Sequence, residues 1–379
     1  MASTFFGSGA SCGPDATNKG DEGMTRLNRM FLSTTILAGL AGLAGAGNAE
    51  AQDTLNALVW CDHTDAALIE PFEEAHDVRV NLREYEGTGA ALALLEQSRP
   101  GDWDVLVIDG IDVFRAVEAG ILAPLPDDEL PTADFFPEVV MAENNSRDGT
   151  TYAVTEKFGY NTISYNAEAV DAADMQDLSA VWSETYDGRI SIYDYYLPVM
   201  GLAALAEGID TADITEGSLD AIGAVMDTMR SRAASIGGVV AAQTALATGE
   251  VDIVVGGGEW LTAVLAEDRP ELTWTIPEQG AVRWSQSIGV LADSANPDLA
   301  LEFVKYITGP EGQARLATSS CFWGMPANAK AGAHLTEDQK AVLRWDEQED
   351  YLARTQLYPA PDAALDIEMQ DLWLNMLQR

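Results

Sequence analysis

With 379 residues and 47% apolar side chains, the chain is long enough to fill two hydrophobic cores rather than one. Its formal net charge of −40 excludes nucleic acid as a partner and opposes compaction, a penalty that high salt screens. We therefore expect a salt-adapted protein with a solvated acidic surface, a composition that also suits a cationic ligand.

Arg26 and Arg29 precede an uncharged run over 31–47, and Ala49-Glu50-Ala51 then offers the small-x-small pattern of a cleavage site. Residues 24–51 read as an export signal peptide with Met24 as its natural start, and 1–23 as a non-native N-terminal extension. The run is rich in Ala, Gly, Ser and Thr and is too weakly apolar for an anchor. The mature chain is expected free in the periplasm. Cys61 and Cys321 then form an even pair in an oxidising compartment: a disulfide is allowed, with two buried thiols as the alternative.

Along the mature chain, 54–60 reads as a strand, 65–76 as an amphipathic helix, 78–85 as a strand, 88–98 as a helix and 105–108 as a strand. The pattern resumes with strands at 159–165 and 190–192, helices at 199–207 and 219–231, and a strand at 253–255 followed by a helix at 260–267. Strands near 273–277 and 285–291 precede helices at 297–307 and 309–317, and further helix is expected beyond 336. Such alternation predicts an α/β fold with a mostly parallel sheet.

No HExxH, GxSxG, phosphate loop or GxGxxG is present, and His63, His76 and His334 lie far apart in sequence. An enzyme is therefore not expected, and neither a metal nor a cofactor. The triplet Gly256-Gly257-Gly258 after a strand either presents backbone N–H groups to a ligand or makes a close turn.

Several segments, in order, resemble the spermidine/putrescine-binding proteins of polyamine ABC importers, a type II solute-binding family. They are Leu58-Val-Trp-Cys-Asp-His63, Asp104-Val-Leu-Val-Ile-Asp109, Phe158-Gly-Tyr-Asn-Thr-Ile-Ser-Tyr-Asn166, Leu178-Ser-Ala-Val-Trp182, Tyr186-Asp-Gly-Arg-Ile190, Gly249-Glu-Val-Asp-Ile253 and Trp284-Ser-Gln-Ser287. The resemblance implies two α/β lobes joined by hinge strands, with lobe 1 at 52–158, lobe 2 at 159–284, and a return to lobe 1 over 285–379 with C-terminal helices.

It also implies a ligand held between aromatic rings and carboxylates. Trp60 falls where the family has a first-strand tryptophan, and His63 where it has a tyrosine. Asp109 stands at a small hydroxyl position and Ile111 at a ring position. Asp194 lies beside one acidic position, Pro198 replaces the next, and Tyr195 and Tyr196 lie between. Glu259 and Trp260 follow the glycine triplet, which aligns with another tryptophan. Trp284 matches a cleft tryptophan, whereas Gln286 occupies the position of an amine-anchoring carboxylate. Trp323 and Gln356 approximate late contacts.

With Pro198 and Gln286 in place of carboxylates, a ligand with one cationic end suits the chain better than a long di- or triamine. The expected partners are a small cationic or zwitterionic solute and ABC permease subunits in the inner membrane, with the protein itself a monomer. Two alternatives are ferric iron held by Tyr195, Tyr196 and His63, and an exported hydrolase using cleft carboxylates.

Overall fold

The computed structural model describes residues 53–379, so the expected extension and signal peptide lie outside the described residues. Strands β1 (Asp53–Val59), β2 (Val78–Glu84) and β3 (Val105–Asp109) lie close to their expected positions, separated by helices Ala66–His76 and Thr88–Gln97. Asp65 caps the first helix by accepting from the Ala67 N–H at 3.0 Å, and Asp77, with φ 52°, closes it in the left-handed region. A small hairpin follows, β4 (Ser146–Arg147) with β5 (Thr150–Thr151). Asp148 and Gly149, at φ 52° and 77°, form its turn.

The remaining strands are β6 (Val154–Asn166), β7 (Ile190–Tyr193), β8 (Ala233–Gly237), β9 (Ile253–Gly257), β10 (Leu272–Thr275), β11 (Ala281–Val290), β12 (Met325–Pro326) and β13 (Thr355–Leu357). Eleven strands form one sheet in the order β2-β1-β3-β11-β6-β9-β7-β8, with β10 and β12 on β6 and β13 on β11. Pairing is parallel at both ends, β1 with β2 and β3, and β7 with β8 and β9. Between them β11 and β6 run antiparallel to each other and to β3 and β9, while the short β13 is parallel to β11.

These two strands connect the halves. The first part of β6 pairs with β11, and from Thr162 onward it pairs with β9 and β10. β11 is buried throughout and β6 up to Tyr165, which requires both sheet faces to be covered there. One apolar core gathers Leu55, Phe72, Val107, Phe158 and Phe303; another gathers Ile190, Ile192, Met200, Leu202 and Val255. Helix Tyr196–Ala206 is apolar on almost every side and sits inside the second core, as such a helix must.

The last helix, Ala363–Leu377, departs from the expectation. Its Met369, Trp373 and Met376 pack into the second core rather than returning to the first, because they form one apolar stripe that meets the helix Leu219–Arg232. The helix expected at 260–267 is also shorter, ending at Thr262 and continuing as a tight turn over Ala263–Leu265.

Cys61 and Cys321 are joined in a disulfide across a sequence separation of 260 residues, with Cα atoms 6.0 Å apart. Closing so long a loop removes entropy from the unfolded chain. Replacing both cysteines by serine is expected to lower the unfolding free energy by about 2–5 kcal/mol. Urea titration of the variant beside the reduced and oxidised wild type checks this, and reduction should reproduce the loss.

Candidate functional site

β3 ends at Asp109, at the carboxyl edge of the parallel strands β1 and β3, where α/β sheets open for ligands. Across the sheet Asp109 pairs with Gln286 on β11, and Gln286 with Lys157 on β6, so the three side chains form a row on one face. Asp109 is half-buried, and among the described residues no hydrogen bond reaches its carboxylate. Burial, with the neighbouring charge of Asp112, pushes the carboxyl up to about 7.

Aromatic rings gather around this acid. The Asp109 charge helps to raise the phenols of Tyr85, Tyr193, Tyr195 and Tyr358, after the larger effect of their own burial. Tyr195 meets Tyr193 and Tyr358 edge-on at 6.1 and 5.6 Å between centroids, and Trp260 packs on Tyr193 at 5.2 Å. Trp60 meets Tyr85 at 6.5 Å. Rings of this kind cover an alkyl chain and favour a cation over their faces, by about 0.5–2 kcal/mol per contact.

A second polar group lies beside the first and is closed on itself. Both ring nitrogens of His63 face carboxylates, Nδ1 toward Asp62 at 3.0 Å and Nε2 toward Glu156 at 3.1 Å. Two acceptors require two donors, so the ring is an imidazolium. Burial works against that charge, but Glu156 and Asp62 outweigh it and push His63 up to about 9. The Lys157 ammonium donates to the other Asp62 oxygen, and Gln286 Nε2 donates to Asp62 at 3.1 Å and Glu156 at 2.9 Å.

All five side chains are fully buried. Burial pulls Lys157 down and drives Asp62 up, but Lys157 and His63 hold Asp62 well below the usual carboxylate range. The ionised pair is the consistent state, since Asp62 receives three donors. Phe322, next to the disulfide, covers the Lys157 ammonium at 3.9 Å from its ring centre.

Of the residues expected from the sequence, Asp109, Tyr195 and Trp260 lie in the ring cluster, and Trp60 joins it through Tyr85. Trp284, 8% exposed, packs edge-on against Phe322. Glu259 is buried and takes the Tyr160 N–H on both oxygens, at 3.1 and 3.2 Å; burial pushes it up to about 8 against that help. Gly159 makes room for both: a Cβ there would lie 1.8 Å from Glu259 Oε1 and 2.4 Å from the Trp284 ring.

The others are engaged elsewhere. His63 belongs to the closed network, and Gln286 joins that network through its Nε2 alone, its Oε1 being buried without a partner among the described residues. Asp194 is exposed. Tyr196 gives its hydroxyl to Asp366 at 2.5 Å. Trp323 packs on the first core. Gln356 bridges Asp210 and the Thr211 N–H, each at 2.7 Å, tying β13 in place. The iron set is therefore not assembled: His63 has no free nitrogen, the Tyr196 hydroxyl is given to Asp366 although its ring lies 6.0 Å from that of Tyr195, and no cluster of three His, Cys, Asp or Glu able to hold a metal occurs among the described residues.

Sequence reasoning missed Tyr193, Tyr358 and Tyr85. Tyr193 ends an alternating strand and was findable by that period; Tyr358 lies in an irregular segment and reaches the cluster by donating to Asn161 Oδ1 at 2.6 Å.

The family described as bacterial extracellular solute-binding protein matches residues 67–342. The chain belongs to that family. This solute-binding protein is 23% identical over 293 residues to the spermidine/putrescine-binding periplasmic protein of Salmonella typhimurium, covering 76% of this chain and 81% of that protein. It is 23% identical over 332 residues to the putrescine/agmatine-binding protein of Pseudomonas aeruginosa, covering 81% and 86%. The crystal structure of a spermidine/putrescine ABC transporter substrate-binding protein from Streptococcus pneumoniae superposes with a TM-score of 0.74 at 18% identity, covering 86% of this chain and 99% of that one. The fold is thus that of the two-lobe periplasmic binding proteins, a transport family rather than an enzyme family.

Proposed function

We propose that this solute-binding protein is exported and serves an ABC importer, capturing a polyamine or related cationic nitrogen compound at Asp109 between the two lobes. The observation that carries this reading is a half-buried carboxylate without a hydrogen-bond partner among the described residues, set among tyrosine and tryptophan rings. A desolvated carboxylate needs a cation, and the rings supply the apolar cover that an alkylamine needs. The names of the relatives support the same solute class. Opening of the lobes admits the solute and closure buries it, with β6 and β11 as the strands that bend.

A thermal-shift panel of the full chain in high salt tests the proposal, because a solute that binds only the folded state raises the melting temperature. Putrescine, spermidine, agmatine or a simple alkylamine is expected to raise it by several degrees at millimolar concentration. A panel in which only anionic solutes or ferric iron shift the transition overturns it.

A further inference from the structure

We infer that the solute carries a single ammonium group, bound with N–H donors to Asp109 and Gln286, and an uncharged hydrogen-bonding tail rather than a second cation. This deepens the proposed function and rests on it. A diamine needs two anionic anchors, and the carboxylates near the cleft supply one. Asp62 and Glu156 are matched by the two buried cations His63 and Lys157. Glu259 is occupied on both oxygens by the Tyr160 N–H, and burial raises its carboxyl to about 8. Asp112, beside Asp109, is paired with Arg115 at 3.0 Å, and Asp194 stands in water. Asp109 remains.

Gln286 defines the head group further. Its Nε2 must be the atom that faces the two carboxylates, since an amide oxygen there would meet only acceptors. Its Oε1 is then fixed, buried and without a partner among the described residues. Asp109 is its cross-strand neighbour on the same face. An ammonium with at least two N–H groups satisfies both oxygens, whereas a quaternary nitrogen leaves the amide oxygen bare, at a cost of about 1–3 kcal/mol.

The ring cluster offers the tail a donor. Trp260 is 6% exposed and its indole N–H has no partner among the described residues. A hydroxyl or other neutral acceptor fits that N–H; a second ammonium, itself only a donor, does not.

Calorimetric titration of the full chain with matched pairs tests this: 4-amino-1-butanol against putrescine, and 5-amino-1-pentanol against cadaverine, so that chain length does not decide the result. The amino alcohol of at least one pair is expected to bind about tenfold or more tightly than its diamine. Trp260→Phe should weaken the amino alcohol by a clearly larger factor than it weakens the corresponding plain alkylamine; equal losses for the two would show that the indole N–H does not hold the tail. If both diamines bind as tightly as their amino alcohols, the single-cation inference fails and the proposed function stands. If no amine of either kind binds, both fail together.

Discussion

Asp109→Asn weakens binding of the cationic solute by about 100-fold, or ~2.7 kcal/mol, with little change in the melting temperature of the protein alone. The carboxylate is the charged partner of the solute nitrogen, and removing one member of a desolvated pair costs about 2–5 kcal/mol. No internal hydrogen bond is lost, because none reaches that carboxylate among the described residues. Calorimetry on wild type and variant reads the affinity; equal affinities would exclude Asp109 from the site.

The same residue sets the pH dependence. A carboxyl at about 7 must lose its proton to hold a cation. Wild-type affinity is therefore full above pH 7 and falls towards tenfold per unit below it. Burial raises the phenols of Tyr85, Tyr193, Tyr195 and Tyr358, His63 stays charged to about 9, and Glu259 ionises only near 8, so none of these titrates in that window. Asp112 forms an ion pair with Arg115 at 3.0 Å. In Asp109→Asn the dependence between pH 5 and 7 should vanish.

Lys157→Met is expected to lower the unfolding free energy by about 3–5 kcal/mol, the cost of stranding a buried charge. Asp62 and Glu156 would then share one imidazolium and one amide. Adding Asp62→Asn to Lys157→Met removes the surplus charge, so the double variant should recover much of the loss, a coupling that urea melts measure. The wild-type network has its own pH signature. His63 is raised in the folded state from 6.5 to about 9, so its contribution, roughly 3 kcal/mol, is complete below pH 6.5 and is lost as pH rises through 9. Asp62 is depressed, so its share is present above the ordinary carboxylate range and lost as pH falls toward its folded value.

The first half of the sheet was legible because strands β1 to β3 and their helices keep clear periods and capping residues, Asp65 among them. β8 and the helix Val239–Thr248 were missed. Gly237 and Gly238 interrupt that stretch, and the helix is rich in small apolar residues on all sides, leaving little periodic contrast. The hairpin at Asp148-Gly149 carried a recognisable turn signal in strands too short to register.

Asp109 closes β3 and Trp260 follows β9, strand-end positions that mark both in the sequence as candidates, and the fold brings both to the ring cluster. His63 could not be interpreted from sequence, since its partners Glu156 and Gln286 lie on β6 and β11, and only the folded sheet brings them to Asp62. Gln286 reads in sequence as a lost carboxylate; in the fold it is the donor that joins two others. The disulfide was permitted by cysteine count, and only the meeting of the β1 turn with the 321–323 segment decided it.

The most direct test of the central claim is a crystal structure of the complex with the solute that gives the largest thermal shift. The solute's nitrogen is expected at about 3 Å from a carboxylate oxygen of Asp109, with the chain against Tyr193 and Tyr195. A solute bound with its nitrogen on Glu259 or Asp194, or in the surface groove beside Trp182 and Arg232, would contradict it.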